Sequence, residues 1–245
     1  MASQPKSEKP EIFTEQYWKR PVPQPKGDGK AQALYQAVGE ALSQWERVDQ
    51  ELADLFIVLT CEPSTSEITR HAARRAYGSI ISTAGRREAI RAAADVYFAA
   101  PGQQSKDIEG KFSDVLNAAG WAARLRDDIA HGVGIEDLEV VTRKVPSDEV
   151  IKEEKFGSFL MPPEYNTGRT LTHRPKRYDH PSSAYKARYC YNSADINGIK
   201  MKFAELTTTL DQYVEFVSQY ICKVREKNIR LEQQLAIDGR QESAQ

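Results

Sequence analysis

Long apolar runs are missing from this sequence. The most apolar stretch, LADLFIVLTC, is short and contains Asp54, too little for a helix that must cross about 30 Å of hydrocarbon. The N-terminus, MASQPKSEKPEIF, lacks the apolar core of a signal peptide, so the chain is expected to be cytoplasmic with no membrane partner. Cysteine is scarce: Cys61, Cys190 and Cys222 are widely separated, odd in number and without CxxC or Cys/His spacing. That argues against a disulfide framework or a structural zinc and fits a reduced intracellular chain. An excess of one charge is also lacking. With 34 Lys and Arg against 35 Asp and Glu, the net charge is −1, and any site for an anionic partner must be local. There is no G-x-x-x-x-G-K-[ST] loop, no G-x-S-x-G, no zinc-type His cluster and no Gly-rich turn after a strand, so conventional enzyme classes fit poorly.

Helical periodicity is present in quantity. Residues 1–29 carry Pro5, Pro10, Pro21, Pro23 and Pro25 among charged and small polar residues, the composition of an extended, partly mobile arm that Phe13 and Trp18 would pin loosely to the body. From Ala31, a stripe of Leu34, Val38, Ala41, Trp45, Val48, Leu52, Leu55 and Leu59 alternates three- and four-residue steps and predicts a long amphipathic helix ending before Pro63. Ser64, Thr65 and Ser66 are candidate caps for a second helix, with Ile68, Ala72, Ala76 and Ile80 continuing the spacing and a kink or break expected near Gly85. A third stripe runs Ile108, Phe112, Val115, Ala119, Ala122, Ile129, with Gly132 or Gly134 able to close that helix. The last begins near Ser193 or Asp195 and runs Ile199, Phe203, Leu206, Leu210, Tyr213, Val217, Tyr220, Val224.

These stripes predict an all-α fold, an up-and-down bundle of four to five long helices. Residues 30–134 and 194–235 form its single helical domain. Residues 135–193 lose the helical period and read as an irregular insertion with a short β-hairpin, and 236–245 form a polar tail.

The stretch RLRDDIAHGVG, Arg124 to Gly134, concentrates charge at the end of the third stripe. By the stripe's own rule the position after Ala122 is Arg126, although Leu125 could take the packing role instead. A buried guanidinium must be paired or face a cleft that holds an anion. Asp127 and His131 are four apart, within reach on one helical face, and a carboxylate beside an imidazole orients it and favours its charged form. Arg126 and His131 are five apart, roughly 140° around a helix, so a shared site needs a long reach by Arg126 or a second copy of the chain. An ordinary surface pair, with the Arg126 stem covering apolar surface, satisfies the same spacing.

RDDIAHG at the end of a bundle helix resembles the signature of HEPN domains (higher eukaryotes and prokaryotes nucleotide-binding). That signature is an arginine, four to six residues, then a histidine, often with a polar residue directly after the arginine. Arg126 matches the arginine, Asp127 the polar follower and His131 the histidine. The resemblance implies a helical bundle that homodimerises, and a metal-independent endoribonuclease with no cofactor. In it a ribose 2′-OH attacks the adjacent phosphate to leave a 2′,3′-cyclic phosphate and a 5′-OH. His131 would transfer protons, Arg126 would stabilise charge on the phosphate, and Asp127 would orient His131. A protein regulator and a role in stress response or defence belong to the same implication. Asparagine is frequent after the arginine in this family, whereas Asp127 and Asp128 here place two carboxylates beside the expected phosphate site.

RNA requires a positive track. Arg70, His71, Arg74 and Arg75 fall on adjacent turns of the second helix, followed by Arg86, Arg87 and Arg91. In the insertion, Arg174 and Arg177 are interleaved with tyrosines, a composition suited to phosphate contacts and base stacking. Arg70, Arg74, Arg75, Arg87, Arg174 and Arg177 are the RNA-binding candidates. A solvated helix face and a soluble loop account for the same residues. The rival class is a non-catalytic bundle that binds RNA, a nucleotide or a protein partner.

Overall fold

The computed structural model describes residues 10–22, 26–99, 106–143, 150–162 and 189–242. Among them most positions of the stripes in the three long helices are buried as their spacing requires, with Val38, Tyr220 and Val224 half-buried. Leu34, Ala41, Trp45, Val48, Leu52, Leu55 and Leu59 lie inward along α1 (Ala31–Thr60). Two shorter helices follow, α2 (Glu67–Gly78) and α3 (Thr83–Ala99). Ile108, Phe112, Val115, Ala119, Ala122 and Ile129 are buried along α4 (Lys106–Ala130). An antiparallel hairpin of β1 (Val133–Arg143) and β2 (Val150–Met161) comes next. Ile199, Phe203, Leu206, Leu210, Tyr213 and Val217 are buried along the final helix, α5 (Ser193–Glu242). Among the described residues the fold is all-α with one small two-stranded sheet before the last helix. No helix among the described residues is long and apolar enough to cross a membrane.

The chain divides into two compact units, one within Met1–Arg47 and Ala118–Leu206, the other within Val48–Asn117 and Thr207–Gln245. In the first unit Trp45 of α1 meets Phe203 of α5 edge to face at 5.3 Å. A reciprocal cap starts α5: the Asp195 backbone N–H donates to Asn192 Oδ1 at 3.0 Å and the Asn192 N–H to Asp195 Oδ2 at 3.2 Å. The described residues of the arm, 10–22 and 26–29, are tied down at several points. Trp18 is buried and its indole N–H donates to the Ile12 carbonyl at 2.8 Å. Asp28 pairs through its backbone with Ser158 of β2 and through its carboxylate with the Ser193 N–H and hydroxyl. Gly157 makes this approach possible: its φ is +85°, and a Cβ there would stand 2.5 Å from the Asp28 carbonyl oxygen.

In the second unit Ser66 is the cap of α2, its hydroxyl accepting from the Thr69 N–H. The expected break near Gly85 falls earlier, between Gly78 and Thr83. Ser82 supplies the reason, since its hydroxyl accepts from the Gly85 N–H at 3.0 Å and places that glycine in the first turn of α3. The inward stripe expected of α2 is also corrected. Ile68 is 82% exposed, and Tyr77, at 2%, is the residue that α2 buries. Tyr77 lies under the Arg86 guanidinium, which is itself paired with Asp49 and donates to the Ile80 carbonyl at 2.8 Å. An arginine of the expected positive track therefore holds the α2–α3 turn in place.

Cysteine burial leads to a first prediction. Cys190 is buried, and desolvation with the nearby Asp195 carboxylate pushes its thiol up to about 12, whereas Cys222 is exposed. In native protein at pH 8 a thiol reagent should label Cys222 rapidly and leave Cys190 intact until the chain unfolds. Equal rates at the two, read by peptide mass mapping, would contradict this packing.

Candidate functional site

The end of α4 divides its charged residues between core and solvent. Leu125, 1% exposed, takes the seam position, and Arg126 is half-buried, its side chain 29% exposed. The two aspartates separate completely. Asp127 is exposed and accepts from Arg126 Nη1 at 3.0 Å. Asp128 is buried, and its carboxylate is held from two directions. Arg20 of the arm donates twice, Nε to Oδ2 at 2.6 Å and Nη2 to Oδ1 at 3.1 Å, and the Tyr191 hydroxyl donates to Oδ2 at 3.0 Å. The bidentate pair holds Arg20 more firmly protonated. Burial and the Asp128 charge raise the Tyr191 phenol well above its ordinary range, so it remains a donor. Only Asp127 can therefore compete with an anion at this helix end.

His131 is exposed. Its backbone N–H still bonds the Asp127 carbonyl, at 3.0 Å, so it continues the helical geometry of α4 by one residue. Among the described residues no side chain partners its imidazole. The expected Asp127–His131 contact is replaced by Asp127–Arg126, an interaction between neighbours in sequence. Arg126 Nε is buried and without a hydrogen bond.

Gly132, directly after the histidine, is where the hairpin closes on the helix. A Cβ there would lie 2.6 Å from Leu160 Cγ and 2.9 Å from the Asp128 carbonyl oxygen. Gly132→Ala is expected to cost about 1–3 kcal/mol through forced displacement of Leu160, read as a lower urea midpoint. An unchanged midpoint would mean that this junction is loosely packed.

The expected basic track is only partly available. Arg74 is paired with Asp54, Arg75 is exposed, Arg70 and Arg87 are half-buried, and Arg70 Nε is buried without a hydrogen bond. These four belong to the second unit and Arg126, Asp127 and His131 to the first. Arg174 and Arg177 lie outside the described residues. Among the described residues no group of three His, Cys, Asp or Glu side chains could hold a metal ion.

Sequence reasoning missed Arg20, Tyr191 and the inward turn of Asp128. Spacing carried half of that signal: Asp128 is three residues after buried Leu125 and one before buried Ile129, on the inward side of α4. Its partners stand 108 and 63 residues away in the chain and leave no local pattern. Arg124 carries a local signal of its own. It is seven residues from His131, about 20° away around a helix, and so lies closer to the histidine's face than Arg126 does.

No protein-family model, no curated protein and no solved structure matches this chain.

Proposed function

We propose that the end of α4 is the RNA-cleaving site of a HEPN-like, metal-independent endoribonuclease that works in the cytoplasm as a homodimer. One observation carries this reading: Asp128 is buried and neutralised by Arg20 while Arg126 and His131 reach solvent, so a phosphate near them meets one carboxylate rather than two. A ribose 2′-OH loses its proton to His131 or its counterpart in a second copy and attacks the adjacent phosphorus. The P–O5′ bond breaks, the 5′-oxygen takes a proton, and a 2′,3′-cyclic phosphate remains. Arg126 donates hydrogen bonds to the phosphate oxygens as charge builds there. A closed two-fold dimer would place two arginines and two histidines about one cleft and remove the angular mismatch within one helix. A protein regulator is part of the same proposal.

The Arg126–Asp127 pair at 3.0 Å favours a second reading, a non-catalytic bundle whose site recognises RNA or a protein. The two readings separate in one assay. Wild type and His131→Ala are incubated with structured and single-stranded RNA in excess chelator. The nuclease reading requires cleavage by wild type and its loss in the variant. No cleavage by wild type, or equal cleavage by both, overturns it.

A further inference from the structure

Beside the motif, the N-terminal arm and α4 enclose a cleft of about 390 Å³ lined by Glu15, Trp18, Lys19, Arg20, Trp121, Arg124 and Leu125. That volume falls at the small end of the range for ligand sites. Its chemistry is uneven. Trp18 and Leu125 are buried and form an apolar floor, and the charge of Arg20 is met by Asp128. Trp121 is only half-buried, and among the described residues its indole N–H has no acceptor. Lys19 is exposed and likewise has no partner. Arg124 meets Glu15 at 3.2 Å with both side chains more than half exposed, a pair held weakly in water. One accessible aromatic face flanked by two available cations is the composition that binds a base and its phosphate.

We propose that this cleft is a nucleotide-binding subsite for single-stranded nucleic acid, with a base stacked on Trp121 and its phosphate against Lys19 and Arg124. The cleft also has a direction. Arg124 and His131 are seven residues apart on one face of α4, about 10 Å along the axis, so a strand leaving the cleft along that face runs toward the histidine. That continuation rests on the proposed nuclease reading; binding in the cleft does not. Under it, the cleft would fix how far from the bound base the strand is cut, and mononucleotide-sized substrates would be poor ones.

The test is tryptophan fluorescence of the full chain. Trp45 is buried and does not line the cleft, and Trp18 lies buried in its floor, so quenching by an added strand reports occupancy of the cleft, and the share lost in Trp121→Phe is that of Trp121. The probes are a ten-nucleotide single-stranded RNA, a DNA of the same length that lacks the 2′-OH, and adenosine monophosphate. Both strands should quench. Trp121→Ala should weaken binding roughly 5- to 150-fold, followed by filter binding because the reporter is lost, and Trp121→Phe should retain most of the affinity. The exposed pair Lys19→Ala/Arg124→Ala, which leaves the packing intact, should lower the slope of log K against log salt by about 1.4. Adenosine monophosphate binding as tightly as the strands would make the natural occupant a free nucleotide; much weaker binding would make it a strand.

The proposal is overturned if the strands bind without quenching, if none of the probes binds, or if the double variant keeps the wild-type salt slope. It is also overturned if the fluorescence changes with protein concentration rather than with nucleic acid, the sign of a second copy seated in the cleft. Strand binding without RNA cleavage would sink the nuclease reading alone. Cleavage that depends on His131 and ignores the cleft variants would sink the cleft alone.

Discussion

Replacing Asp128 with alanine is expected to destabilise the first unit by about 3 kcal/mol, the lower end of the range for breaking a buried ion pair. The lower end applies because the Arg20 side chain is 31% exposed and can regain water once its partner is gone. Tyr191, fully buried, has no such escape, and its hydroxyl would be left without the acceptor it has at 3.0 Å. Removing the hydroxyl instead, in Tyr191→Phe, loses one hydrogen bond but keeps the bidentate Arg20 pair, and should cost about 1 kcal/mol. A urea midpoint for Asp128→Ala below that of Tyr191→Phe, itself below wild type, is the signature of a carboxylate held from two sides. Cys190 offers a second readout, because it adjoins Tyr191 in sequence and should become reactive in Asp128→Ala under conditions where wild type resists. A stability within about 0.5 kcal/mol of wild type, the spread of ordinary surface changes, would mean that Asp128 is not the anchor of this helix end.

On the proposed nuclease reading, His131→Ala should lower RNA cleavage by about 10²- to 10⁴-fold, the usual contribution of one positioned proton-transfer group. Arg126→Ala should lower it by about 10²- to 10³-fold, the effect of losing one donor aimed at developing charge. Neither change removes packing at the seam, which belongs to Leu125, so both variants should fold normally. Asp127 discriminates between two accounts of the motif. If it oriented His131, Asp127→Asn would slow cleavage. Because its carboxylate is on Arg126, the substitution should instead free the guanidinium for phosphate and raise cleavage by up to about fivefold, the strength of an exposed ion pair.

Much of the fold was legible because helical stripes are a local signal. In α1, α4 and α5 most of the residues placed inward by spacing alone are buried, while Val38, Tyr220 and Val224 are only half-buried. The rule failed in α2, where alanine and arginine dominate and leave the stripe nearly empty of large apolar side chains; Tyr77 then decides which face turns in. At the motif, spacing put Arg126 at or beside the seam, a position that Leu125 takes, and could not say which of two adjacent aspartates turns inward. That was settled by Arg20 and Tyr191, from an arm and a segment that carry no helical period. The charges of RDDIAHG thus have different surroundings: Asp128 fastens the helix end, Asp127 pairs with Arg126, and Arg126 and His131 reach solvent, where the proposed chemistry needs them.

The most direct test of that chemistry is the identity of the ends left on a single-stranded RNA cut by the wild-type protein in excess chelator. Attack by a 2′-OH predicts a 2′,3′-cyclic phosphate on one fragment and a 5′-OH on the other, with both lost in His131→Ala. Fragments bearing a 3′-OH and a 5′-phosphate, or cyclic phosphates that persist undiminished in the variant, would contradict it.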